Sequence, residues 1–171
     1  MRKFVKVWVP IIVWASIIYI FSSQPYEVQS LRPLIQENIN MSAIKNFLTD
    51  VEFTYAGKKI SVHTVGTVGF VEFCIRKGAH FTVFFILGWL LFRAMVNTSQ
   101  SRQSVAFMVS LAVIILYALS DELHQMFTPN RTPLMQDVLL DTTGGVMGIY
   151  LATWRYKPFR TKKRNIAVMQ K

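Results

Sequence analysis

The stretch Leu134–Trp154, LMQDVLLDTTGGVMGIYLATW, decides how the rest of the chain is read. It is apolar and long enough to cross the roughly 30 Å hydrocarbon core of a bilayer, for which about 20 helical residues suffice. Yet it carries Asp137 and Asp141. Asp137, Asp141, Gly144 and Gly148 recur every three or four residues and so share one helix face. Glycines four apart let a neighbouring helix come close, which turns the two acids toward protein and away from lipid. Asp141 lies about 10 Å in from Leu134 at 1.5 Å per residue. An unpaired charge at that depth costs on the order of 3 kcal/mol, so Asp141 requires a partner or a proton.

Working outward, three more apolar runs appear: Phe4–Phe21, Phe81–Phe92 and Val105–Leu119. The second is too short alone and must be extended back through His80, Lys77 and Arg76 toward Phe73, which forces ionisable residues close to the membrane. The chain has 171 residues, 52% of them hydrophobic and 16% charged, with a net charge of +10. Mean hydropathy is +0.34. That balance excludes a disordered chain and does not suit an ordinary soluble domain. The expected fold is an all-α membrane protein with four spans, at about 4–22, 73–93, 103–123 and 134–154, inside a membrane domain covering 1–156.

Orientation follows from lysine and arginine, which short cytoplasmic segments retain. With the N-terminus inside, the inner side receives Arg2, Lys3, Lys6, Arg93, Arg102, Arg155 and the six cations from Lys157 to Lys171, and no acid. The outer side receives the other seven cations and all nine acids. Both termini are therefore expected in the cytoplasm of a multi-pass cell-membrane protein. The basic tail 157–171 reads as an anchor on anionic lipid; it lies beside a span with no recognition fold, so nucleic acid is not expected as a partner. A basic start before an apolar run also fits a secretory signal, but the first run is long and aromatic and lacks an Ala-x-Ala pattern before Gln24, so it is read as a retained span. Cys74 is the one cysteine, which excludes an intramolecular disulfide and a cysteine-based zinc site.

The extracytoplasmic loop, about 24–71, is longer than a connection requires. Val51, Phe53 and Tyr55 alternate with polar residues, Ala56-Gly57-Lys58 supplies a turn, and Ile60 and Val62 alternate again, which predicts a β-hairpin. A lone hairpin is marginal, so it should rest on helix ends or on the membrane surface. Leu34–Asn40 and Ser42–Leu48 suit short amphipathic helices, with Ser42 as an N-cap. His63 is read as a surface residue.

The outer end of every span is polar: Ser22-Ser23-Gln24, Arg76-Lys77-Gly78-Ala79-His80, Ser120 to Gln125, and Arg131 followed by Asp137 and Asp141. Glu72, Arg76 and His80 share one face, as do Tyr117, Asp121 and His124. Several readings fit this cluster. Asp121, Glu122, Asp137 and Asp141 against Arg76, Lys77 and Arg131 make a self-neutralised structural latch. The same cations make an anion site in which a histidine or aspartate moves a proton, with a lipid headgroup as the natural ligand. A headgroup hydrolase or transferase would use His80 or His124 as base and Asp121 or Asp141 to orient it; no serine or cysteine nucleophile is clearly placed for it, Ser120 beside Asp121 being the one candidate. His80, His124 and the four carboxylates are suitable metal ligands, but no metal is assigned, because three nearby cations already compensate most of the charge and no closely spaced His or Glu–His ligand pair is present. A proton path is disfavoured because the acids stop in the outer half of the membrane. The aromatic residues, including Trp8, Trp14, Trp89 and Trp154, read as lipid-facing bulk and interfacial anchors, and no cofactor is indicated.

Taken together, Phe21-Ser22-Ser23-Gln24, Arg76-Lys77-Gly78-Ala79-His80-Phe81, Tyr117 through Gln125, Pro129-Asn130-Arg131, and Asp137 through Asp141 followed by Gly144 closely resemble the VanZ-like family of bacterial membrane proteins. The resemblance runs from the first span through the fourth. It implies a small multispan protein, in a family whose founding member raises resistance to teicoplanin-type antibiotics and for which no reaction is established. The family's recurring polar positions carry over as Arg76, Lys77, His80, Asp121, Glu122, His124, Gln125, Arg131, Asp137 and Asp141. Pro133-Leu134-Met135-Gln136 departs from the glycine and small polar residues common in relatives after the arginine, which bears on where Arg131 sits. The expected function is a cell-envelope role in which an outer-leaflet pocket engages an anionic lipid or cell-wall precursor or influences lipoglycopeptide susceptibility.

Overall fold

A computed structural model of the chain describes residues 2–25, 27–99, 102–129, 131 and 133–155; the basic tail expected at 157–171 lies outside them. The order of elements is α1 (Arg2–Ser22), α2 (Arg32–Asn38), α3 (Met41–Leu48), β1 (Glu52–Tyr55), β2 (Lys58–Ser61), α4 (Val62–Ser99), α5 (Gln103–Gln125) and α6 (Met135–Arg155). Three of these, α1, α4 and α5, are long and apolar enough to cross a membrane. Large apolar side chains point outward along the bundle, Ile12 at 62% and Leu116 at 66% exposure among them, as expected where the surrounding solvent is hydrocarbon. α6 is as long as α1, and its buried face consists of Val138, Asp141, three glycines, Ile149 and Ala152.

The bundle is organised by the α4–α6 contact. A side-chain carbon on Gly144 would strike the backbone carbonyl of Phe81, and one on Gly148 the carbonyl of Phe85; Gly88 on α4 is closed in the same way by Gly145. The two backbones therefore touch along two helical turns, as the small-residue spacing predicts. α5 packs on the other flank of α6, with Ile114 against Gly145. Side-chain bonds to backbone fasten α1: Trp14 Nε1 donates to the Val83 carbonyl at 2.9 Å and Tyr117 Oη to the Ala15 carbonyl at 2.6 Å.

α4 is longer than the span expected at 73–93. Thirty-eight residues would run about 57 Å if continuous, nearly twice the hydrocarbon thickness, so one end must project. Gly66, at φ 76° and ψ 161°, interrupts the helix after its first turn, a conformation open to glycine. Val62 thus opens α4 and does not extend the hairpin, because Ser61 and Thr64 cap the turn reciprocally, Ser61 N–H to Thr64 Oγ1 at 3.0 Å and Thr64 N–H to Ser61 Oγ at 3.3 Å. The hairpin pairs Tyr55 with Lys58 across Ala56 and Gly57, both at positive φ, the two-residue turn whose twist suits antiparallel strands. It rests on α4, with Phe53 against Phe70 and Phe73, and Tyr55 edge-on to Phe73 at 5.2 Å. The α3 cap is Asn40, not Ser42: Asn40 Oδ1 accepts from the Ser42 N–H at 3.2 Å, because the helix begins at Met41, ahead of the expected cap.

If the α4–α6 contact sets the fold, Gly148→Ala must push the two helices apart. It is expected to cost about 1–3 kcal/mol, read as a lowered thermal unfolding midpoint of the detergent-solubilised protein. Gly78→Ala, whose added methyl meets open space, should leave that midpoint unchanged or slightly raised.

Candidate functional site

The polar ends of α1, α5 and α6 meet the polar middle of α4 at residues 76–80, and the hairpin and the segment after α1 are bonded to them. Between these parts is a cavity of about 570 Å3 whose walls include Arg32, Lys58, Arg76, Lys77 and Arg131 against only two acids, Glu72 and Asp137. Burial, then the charge of Arg76, pulls the Arg131 pKa below its ordinary value. Two guanidinium groups close enough to oppose each other in a half-buried wall favour an anion between them. Arg131 Nε is buried with no hydrogen-bond partner among the described residues. A second cavity of about 450 Å3 lies against α1, with Ile17, Ile18, Phe21, Val28 and Val83 in its wall. Arg76 and His80 border both cavities.

Each acid has a distinct environment. Asp137 accepts from Lys77 and from the Tyr55 hydroxyl, and the Lys77 ammonium also lies 4.9 Å from the centre of the Tyr55 ring. Burial first, then the bond to Asp137, raises the Tyr55 pKa far above its ordinary value, so the hydroxyl stays a donor. Glu122 accepts the Leu134 N–H, an otherwise orphaned donor at the entry to α6, where a negative charge also suits the helix dipole. Glu72, 2% exposed, accepts from Arg32 Nε at 2.9 Å, the Leu31 N–H at 3.0 Å and Ser30 Oγ at 3.2 Å. These bonds tie the segment after α1 to α4. Asp121 accepts from Gln125 Nε2 at 3.0 Å, Gln125 Oε1 accepts from Arg131 at 3.0 Å, and Arg131 also donates to Gln29. Asp141, 1% exposed, has His80 as its nearest ionisable neighbour, Nδ1 to Oδ2 at 3.6 Å.

Most of the residues singled out in the sequence thus gather, while His124, Tyr117 and Ser120 do not. Arg76, Lys77, His80, Gln125, Arg131 and Asp137 line the first cavity; Asp121, Glu122 and Asp141 stand directly behind it. His124 is turned to α1, stacked on Tyr19 at 4.5 Å and 3.2 Å from Ser23 Oγ. Tyr117 also turns to α1, while Asp121, on the same helix, faces the interior. Ser120 is exposed and donates to the Tyr117 carbonyl at 2.8 Å. Sequence reasoning missed Tyr55, Lys58, Arg32 and Gln29 as contributors. The partners of Tyr55, Arg32 and Gln29 are 40 to 102 positions away, and Lys58 reaches the wall from the hairpin; no local spacing announces such contacts.

A family model described as VanZ/LLP1 matches residues 7–156. No curated protein and no solved structure matches the chain.

Tyr55→Phe keeps the ring packing on Phe73 but removes a donor from the half-buried Asp137. The expected loss is about 1–3 kcal/mol, measured as a lower unfolding midpoint, with the helix content of the folded protein unchanged.

Proposed function

The chain belongs to the VanZ/LLP1 family, and from that premise we propose that this multi-pass membrane protein binds an anionic lipid of the bacterial cell envelope in the cationic cavity. The reading rests on one observation: a cavity with five cationic and two acidic side chains in its wall shares Arg76 and His80 with an apolar cavity beside α1. A phosphate headgroup suits the first and an acyl or prenyl chain the second. An anion among several guanidinium and ammonium groups gains charge-assisted hydrogen bonds, and binding in a partly desolvated wall strengthens them.

In this reading α6 is a fourth span, both termini are cytoplasmic and the cavity opens on the outer leaflet. The sorting of lysine and arginine supports that orientation, and the outward apolar residues of α6, Leu139, Met147 and Tyr150, support its contact with lipid. An influence on lipoglycopeptide susceptibility would act through the same pocket, by competition for a lipid-linked ligand. The latch reading is favoured for part of the cluster: Lys77–Asp137 and Glu122–Leu134 are bonds within the fold. Beyond those bonds, Arg131 Nε is buried with no hydrogen-bond partner among the described residues, and the five cations of the wall outnumber its two acids.

The test is lipid retention by purified protein in detergent, read by native mass spectrometry with a polyprenyl monophosphate, phosphatidylglycerol and phosphatidylcholine. The anionic lipids should be retained and phosphatidylcholine released, and Arg76→Gln combined with Arg131→Gln should weaken retention about 10-fold or more. Equal retention of the zwitterionic lipid, or indifference to the double substitution, contradicts the proposal.

A further inference from the structure

Of the carboxylates in the cluster, Asp137 and Glu122 are satisfied by Lys77, Tyr55 and the Leu134 N–H. Asp141 is not. Its Oδ1 is buried without a hydrogen-bond partner among the described residues, and so is His80 Nδ1, which faces its other oxygen, Oδ2. The 3.6 Å between His80 Nδ1 and Asp141 Oδ2 is too long for a hydrogen bond. It matches the spacing of two ligands on one cation, which stand roughly 3.0–3.6 Å apart when each bond is about 2.0–2.2 Å. Asp121 brings a third ligand atom, and one atom from each of His80, Asp121 and Asp141 lies within 4.8 Å of the others. Buried polar atoms without partners ask for an explanation, a bound ion being one.

We propose that His80, Asp121 and Asp141 bind a divalent transition cation of the Zn2+ or Mn2+ class. One imidazole and two carboxylates suit those metals, and two positive charges balance two carboxylates in a low-dielectric interior. The support expected around a metal site is present: Gln125 Nε2 holds Asp121 Oδ2 at 3.0 Å and is itself held by Arg131, the arrangement that orients a ligating carboxylate. The glycine contact of Gly144 with Phe81 fixes α6 beside the residue that follows His80, so the ligand spacing is set by backbone contact. Of the three, His80 is the ligand that borders both cavities. The sequence assigned no metal because it offers no ligand pair at helical spacing; these three ligands come one each from α4, α5 and α6. The site does not depend on the lipid reading.

Purified full-length protein, stripped with EDTA and dialysed, is titrated calorimetrically with ZnCl2 and with MnCl2 alone. One saturable equivalent of at least one metal is expected, together with an unfolding midpoint that rises with its concentration. Asp141→Asn should weaken binding at least 10-fold, and Gln125→Ala about 10- to 100-fold through the outer shell. If Asp141→Asn does not accumulate, the wild-type titration and Gln125→Ala decide. Folded wild type that takes up neither metal overturns the proposal, as does stoichiometric uptake unaffected by these substitutions. Anionic lipid retention measured in EDTA separates the two readings: retention without metal uptake removes the metal site alone, and metal uptake without retention removes the lipid site alone.

Discussion

The backbone contact between α4 and α6 is the constraint on which the rest of the structure depends. Gly144 and Gly148 sit on the carbonyls of Phe81 and Phe85, and Gly88 and Gly145 close on each other. No helix pair with side chains at those positions reaches such proximity. The contact carries Asp141 into the bundle interior next to His80, and it brings Asp137 to Lys77. Packing and site are thus one feature: the glycines that remove side-chain volume on one turn of α6 position the acids on the turn before.

Electrostatics then decides what that interior can hold. In hydrocarbon an ionised group must find its partner within the protein, and this cluster does so by several means. Glu72 gathers a side chain, a hydroxyl and a backbone N–H; Glu122 takes the helix-entry N–H; Asp137 takes an ammonium and a phenol. What is left is a wall richer in cations than in acids and a pair of carboxylates with one imidazole. The first favours an anion and the second a cation, and His80 borders both places.

Much of this was legible in the sequence because it is local. Helical spacing put Asp137, Asp141, Gly144 and Gly148 on one face, and alternation with Ala56-Gly57 marked the hairpin. The polar ends of the apolar runs named most of the cluster. The rest depends on tertiary contact. Spacing along α5 placed Tyr117, Asp121 and His124 on one stripe, but a helix face is wide enough that Tyr117 and His124 meet α1 while Asp121 meets α4 and α6. The part played by Tyr55, Arg32 and Gln29 rests on how the loop folds back over the helix ends, and the extension of α4 to Val62 rests on a cap at Ser61 and Thr64 that alternation alone reads as strand.

In the proposed orientation the cationic cavity opens away from the cytoplasm. Labelling of intact cells with a membrane-impermeant maleimide tests it directly, using Lys58→Cys at the cavity wall and Arg155→Cys at the end of α6 in a Cys74→Ser background. Label at position 58 in intact cells, with position 155 reacting only after lysis, is the predicted result. Label at 155 and protection of 58 until lysis would contradict it.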